Sequence, residues 1–260
     1  MLILGSPLIA GCGAQRNITE EVSNPPADLS SEDTLALNDE IAELTKLLET
    51  NPQDAAAYCN RGYAKEKLGD HQGAIIDYTR AIEINPQYAD AYYNRGNAKK
   101  GLGDYQAAIA DYNKAIEINP QYASAYYNRG NGKYSLREYQ GAIADYSKAI
   151  EIYPQLAAAY SNRGNAKSKS KDYQGAIVDY NKAIEINPQF ASAYINRGNA
   201  KSGLGDKRGT CDDYKKSASL GYQAAAQFLN SKGGAWCRNM RWAHKTTTHS
   251  IDRIRNPTYP

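Results

Sequence analysis

The residues Asn94-Arg95-Gly96-Asn97 return as Asn128-Arg129-Gly130-Asn131, Asn162-Arg163-Gly164-Asn165 and Asn196-Arg197-Gly198-Asn199, each copy 34 residues after the last. A variant, Asn60-Arg61-Gly62-Tyr63, stands one step earlier. A fixed period of this size constrains the chain more than its length does. It describes a solenoid, in which a unit too small to bury its own apolar face buries it against its neighbours. Gly103-Asp104 separates two helical patterns within a unit, and Asn119-Pro120 separates one unit from the next. The spacing therefore predicts pairs of antiparallel helices.

Five units start at Ala55, Ala89, Ala123, Ala157 and Ala191, and positions within a unit are counted from these as places 1 to 34. Place 4 is Tyr58, Tyr92, Tyr126, Tyr160 and Tyr194, and place 8 is Gly62, Gly96, Gly130, Gly164 and Gly198. Place 20 is Ala74, Ala108, Ala142 and Ala176, then Thr210; place 27 is Ala81, Ala115, Ala149 and Ala183, then Ser217. Pro86, Pro120, Pro154 and Pro188 close the first four units at place 32, where the fifth has Tyr222. This pattern, over roughly residues 51 to 222, resembles the tetratricopeptide repeat (TPR). The resemblance implies an all-α TPR superhelical solenoid of antiparallel helix pairs with capping helices. It also implies that the first helices line a concave face.

The bias of the composition, 22 Tyr against 2 Phe and 2 Trp, follows from the repeat template. Gly and Ala let helices approach, while Tyr fills gaps and keeps a hydroxyl for a polar partner. Place 7 is Arg61, Arg95, Arg129, Arg163 and Arg197, and place 23 is Asp77, Asp111, Asp145, Asp179 and Asp213. Antiparallel helices bring these places together, and a half-buried guanidinium is costly without a counter-charge. Arg–Asp pairing in every unit is the expectation, which removes these arginines from ligand contact.

The Asn rows read differently. Place 6 is Asn60, Asn94, Asn128, Asn162 and Asn196; place 9 is Tyr63, then Asn97, Asn131, Asn165 and Asn199. Adjacent parallel helices lie about 8–10 Å apart, and an extended peptide rises about 3.3 Å per residue. One Asn per unit thus matches about every third peptide residue, and its amide both donates and accepts. The alternative is that these amides satisfy buried backbone or the adjacent Arg. The place-6 row resembles the asparagine ladder of a glycosyltransferase that carries TPR units. A groove of Asn60, Asn94, Asn128, Asn162, Asn196, Asn97, Asn131, Asn165 and Asn199, with Tyr63, Tyr93, Tyr127 and Tyr134 as aromatic contacts, is the expected peptide site. The basic carboxylate clamp of TPR co-chaperones is missing, because place 5 is Cys59, Tyr93, Tyr127, Ser161 and Ile195.

The ends carry other signals. Leu2 to Ala10 is apolar and leads into Ile9-Ala10-Gly11-Cys12, which resembles the lipobox of bacterial lipoproteins. That resemblance implies a signal over residues 1–12, lipidation of Cys12 and a place in the bacterial envelope facing the periplasm. An uncleaved anchor and a cytoplasmic protein with an apolar start are the alternatives. Residues 13–32 read as a flexible tether. Residues 33–50 read as a lone capping helix, with Ser31 as its cap and Leu37, Ile41, Leu44, Leu47 and Leu48 at helical spacing. Residues 223–237 read as a C-terminal cap over which Trp236 packs. Cys211 and Cys237 are placed to form a disulfide that pins this cap in an oxidising compartment. The segment after it, 238–260, is basic: Lys232 to Pro260 holds six Lys and Arg against one Asp, in a chain of net charge +3. It reads as a solvated, disordered tail, with nucleic acid as the lesser alternative.

No catalytic constellation appears, and no cofactor or metal is implied; Cys237, His244 and His249 have poor spacing for zinc. The expected function is a non-enzymatic, envelope-tethered scaffold that binds peptide segments of a protein partner. The alternative is a recruiting array for a glycosyltransferase or other enzyme on a separate chain.

Overall fold

The computed structural model describes Cys12 and residues 29–239 of the 260-residue chain. Most of the expected tether and basic tail, with His244 and His249, therefore lies outside the described residues. Among the described residues there are thirteen α-helices. They are α1 (Ser31–Thr50), α2 (Ala55–Lys67), α3 (His71–Ile84), α4 (Ala89–Gly101), α5 (Tyr105–Ile118), α6 (Ala123–Ser135), α7 (Tyr139–Ile152), α8 (Ala157–Lys169), α9 (Tyr173–Ile186), α10 (Ala191–Gly203), α11 (Lys207–Ser219), α12 (Gln223–Asn230) and α13 (Ala235–Asn239). None is long and apolar enough to cross a membrane.

Each unit contributes one first helix (α2, α4, α6, α8, α10) and one second helix (α3, α5, α7, α9, α11). Every helix packs on the ones before and after it, as a solenoid requires. Successive first helices also approach one another directly, more closely than successive second helices do. The first helices thus form the inner, concave layer.

The pairing depends on glycine at place 8. A Cβ on Gly130 would stand 2.8 Å from Cε1 of Tyr146, and the other units repeat this contact between place 8 and the place-24 ring. That ring is wholly buried in Tyr78 and Tyr112 and nearly so in Tyr146 and Tyr180. Between the two helices, Leu102-Gly103-Asp104 forms a Schellman turn. Gly103 takes φ +81°, Gly103 N–H donates to Lys100 O and Asp104 N–H to Lys99 O. The Asp104 side chain then caps α5 by accepting from Ala107 N–H at 3.0 Å.

The turn Ser170-Lys171-Asp172, where the first, second and fifth units have Leu-Gly-Asp, keeps this geometry. Lys171 adopts φ 65°, and Asp172 still caps α9. The third unit departs further. Arg137 is left-handed at φ 63°, and Glu138 caps α7 without any side-chain hydrogen bond.

The two ends differ from expectation. α1 is capped one residue earlier than expected: Ser30, not Ser31, caps it, in a capping box with Asp33. Nor is α1 a lone helix. Its Thr45, Leu48, Asn51 and Pro52 stand 34 residues before Thr79, Ile82, Asn85 and Pro86. It is the second helix of a half unit, in register with the rest. At the other end, Thr210 and Ser217 replace alanines, and their hydroxyls donate to Gly198 O (3.2 Å) and Ala191 O (2.8 Å) on α10. The cap is made by Phe228, edge-on to Tyr214 with centroids 4.9 Å apart, and by the bonded pair Cys211–Cys237. Trp236 does not pack over it; the ring is 39% exposed, because the buried positions are taken by Ala225 and Cys237.

Candidate functional site

The motif places two polar columns on opposite sides of each first helix. On the outer side, Arg95 Nε and Nη2 donate to Asp111 Oδ2 and Oδ1 at 3.0 and 2.7 Å. Lys99 Nζ reaches the same carboxylate at 2.7 Å. The cluster repeats as Arg61–Asp77–Lys65, Arg129–Asp145–Lys133, Arg163–Asp179–Lys167 and Arg197–Asp213–Lys201. All five aspartates are buried. Each guanidinium also lies over the place-4 tyrosine ring, 5.3 to 5.6 Å from its centroid. Its Nη1 reaches back to the preceding second helix: Arg95 to Thr79 (3.1 Å), Arg129 to Asn113 (2.7 Å) and Arg61 to Thr45 of α1 (3.1 Å). The hydrogen bond to Asp77 holds the Arg61 guanidinium still further above its ordinary range than burial lowers it. These arginines are committed to the scaffold. The lysine at place 11 was missed from the sequence, although it stands one helical turn after the Arg on the same face.

The inner column is neutral. Tyr146 OH donates to Asn131 Oδ1 at 2.9 Å, and Asn162 Nδ2 of the next unit donates to that same oxygen at 3.0 Å. Tyr112, Asn97 and Asn128 form the same chain, as do Tyr180, Asn165 and Asn196. Tyr214 donates to Asn199. The remaining proton of the place-6 amide goes to a place-5 phenol: Asn128 Nδ2 to Tyr93 OH at 2.8 Å, Asn162 Nδ2 to Tyr127 OH at 2.9 Å. Burial raises Tyr146, Tyr180 and Tyr214 above the ordinary phenol range, so they stay protonated donors.

This arrangement corrects the expected groove. Tyr93 and Tyr127 are buried, 3% and 8% exposed, and are not contact surface. They pack within their own units against Tyr112 and Tyr146, at 5.9 Å between centroids, and their hydroxyls meet Asn128 and Asn162 of the next unit. Asn94 and Asn128 are likewise buried, 2% and 7% exposed. Asn60, Asn162, Asn196, Asn97, Asn131 and Asn165 are half-buried, and Asn199 is exposed. The inter-unit bonds use the NH2 of place 6 and the oxygen of place 9. Among the described residues, the oxygen of Asn162 and the NH2 of Asn165 take no partner. Both border a pocket of about 140 Å³ lined by Asn131, Tyr134, Ser135, Tyr146, Asn162 and Asn165. Tyr134 forms its rim, edge-on to Tyr139 at 5.5 Å.

The first unit is different again. Tyr63 replaces the place-9 Asn, and Tyr78 OH donates to Glu66 Oε2 at 2.8 Å instead. Cys59 is bonded to Cys12, with Cα atoms 5.5 Å apart. The same Cys12 sulfur cannot also carry a thioether-linked lipid, so the lipidation expected at Cys12 does not hold in this structure. Cys211 and Cys237 are the second bonded pair, Cα atoms 5.4 Å apart. Among the described residues no His, Cys, Asp and Glu side chains gather into a metal site.

Family models described as tetratricopeptide repeat match residues 89–122, 123–156 and 157–190, and 43–76; one described as TPR repeat matches 67–103. Solved structures of similar shape include MamA, 28% identical with a TM-score of 0.60, covering 64% of this chain and 96% of that one. YrrB, described as a TPR protein with an unusual peptide-binding site, is 20% identical with a TM-score of 0.63, covering 72% and 98%. PilF of Pseudomonas aeruginosa is 20% identical with a TM-score of 0.59, covering 70% and 88%. No curated protein matches the sequence.

Proposed function

The chain belongs to the tetratricopeptide repeat family, and on that premise we propose that it is a non-enzymatic scaffold holding an extended segment of a partner protein along its inner layer. One observation carries this reading. In the fourth unit the inter-unit bonds leave the place-6 oxygen of Asn162 and the place-9 NH2 of Asn165 unspent, whereas in the third unit Asn131 Nδ2 and Lys100 Nζ donate to the Asn128 oxygen. A peptide group needs one acceptor for its N–H and one donor for its C=O. Asn162 and Asn165 offer that pair already oriented, so little ordering cost remains on binding there. The pocket beside Tyr134 would take one side chain of the bound segment, adding selection to a grip on backbone alone. YrrB, which shares the fold, is described by its peptide-binding site. Two bonded cysteine pairs support an oxidising compartment, and we place the protein in the cell envelope on that ground.

The test is Asn165→Asp. The substitution keeps an oxygen for Tyr180 and Asn196 and removes the NH2. A 12-residue random peptide library panned on the full chain supplies the probe. A retained peptide should bind Asn165→Asp about tenfold more weakly, the effect of one lost hydrogen bond worth about 1.4 kcal/mol. Equal affinity would overturn the backbone grip. A library that yields no binder would overturn the scaffold reading itself.

A further inference from the structure

The first unit departs from the template at places that converge on one point. Place 5 is Cys59 where the other units have Tyr93, Tyr127, Ser161 and Ile195. Place 9 is Tyr63 where every other unit has Asn. The second change has a consequence one unit on. Asn128, Asn162 and Asn196 each give their NH2 to the place-9 oxygen of the preceding unit. Asn94 has no such oxygen behind it. Its Nδ2 donates instead to Sγ of Cys12, at 3.1 Å. The backbone N–H of Cys12 donates to Asn60 Oδ1 at 2.7 Å, and its sulfur is bonded to Cys59. Cys12 is only 4% exposed, so it is enclosed by the array and does not merely lie on it.

We propose that the first unit is a receptor for the chain's own Cys12, held there as a covalently retained occupant. Asn60 accepts a peptide N–H with its place-6 oxygen, the atom that Asn162 leaves over. Cys59 adds a bond that no later unit can make. The bond closes by exchange. The Cys12 and Cys59 thiols give up two protons and two electrons to the disulfide of an oxidised dithiol partner, whose sulfur–sulfur bond breaks as theirs forms. A reduced dithiol reverses the step. While the bond stands, the place-6 oxygen of Asn60 is occupied from within the chain, and the free inner layer begins at the second unit. Reduction returns the first step of the groove. This goes beyond the scaffold reading, and the latch stands whether or not a foreign peptide binds.

The test follows the thiols of the full chain. The protein is reduced, transferred to glutathione disulfide, sampled by alkylation and mapped by mass spectrometry. Wild type should close Cys12–Cys59 as well as Cys211–Cys237. In Asn60→Ala/Asn94→Ala, closure of Cys12–Cys59 should slow roughly tenfold relative to Cys211–Cys237 in the same molecule, for the two lost anchors. Asn162→Ala should leave the ratio unchanged. Alkylation of both Cys12 and Cys59 in fully oxidised wild type would overturn the proposal. So would an unchanged ratio in the double variant. If both bonds close slowly there, the fold has suffered, and the single Asn94→Ala variant decides by the same ratio.

Discussion

The two polar columns are built from adjacent residues of one motif, yet they differ in what they leave over. On the outer side, each buried aspartate faces an arginine and a lysine, and the arginine also faces an aromatic ring and the preceding second helix. On the inner side, Asn162 and Asn165 use one end for a neighbour and keep the other, although Asn128 and Asn131 spend both. Charge explains the contrast. A charge moved out of water has to be compensated nearly in full. An amide at a half-buried position can leave one end to solvent at little cost. The saturated column holds the units together. The half-saturated one has something to offer a ligand.

The comparison can be broken first by alkali. Burial binds the phenolic protons of Tyr146 and Tyr180 more tightly in the folded chain than in the unfolded one. The stabilisation is complete below the ordinary phenol value of about 10 and is lost as pH rises beyond it, because the unfolded chain releases those protons first. Each such tyrosine should cost about 1.4 kcal/mol per pH unit in that window. Urea melts between pH 9 and 11 should therefore show a steep fall, reduced in Tyr146→Phe. An equal fall in both proteins would remove the inner column as its source.

Single substitutions sharpen the contrast next. Asp145→Ala leaves Arg129 and Lys133 without their carboxylate and should cost about 3 kcal/mol. Asn162→Ala removes donors to Tyr127 and Asn131 and should cost about 1–2 kcal/mol. Chemical denaturation of the two variants ranks the columns; the reverse order would refute the assignment. The smallest effect is a gain. Glu138→Asp supplies the missing side-chain cap of α7 and should add about 1 kcal/mol, seen as a higher melting temperature.

Much of this was legible. The 34-residue period marks the helix pairs, and the costs of burying charge join Arg95 to Asp111 before any coordinates are seen. Lys99 was legible too, one turn after Arg95, and went unread because an aspartate already had a partner. The half-unit nature of α1 was written in Asn51-Pro52, the same pair as Asn85-Pro86, but its altered apolar residues hid it. Burial of Tyr93 and Tyr127 was not legible, because a place on the inner face does not tell a surface ring from a buried one. The Cys12–Cys59 contact lies outside the period altogether. Repeat grammar describes each unit's neighbours and is silent on a segment that folds back over 47 residues.

The registration of α1 has a consequence for how such a chain changes over time. Arg61 meets Thr45 at the same distance, 3.1 Å, at which Arg95 meets Thr79. On the outer side, every junction is thus a joint between interchangeable parts, including the one at the start. A duplication or deletion of one whole period leaves each remaining joint with the chemistry it had before. Length, and with it the reach of the inner face, becomes a quantity that recombination can adjust without new contacts being invented.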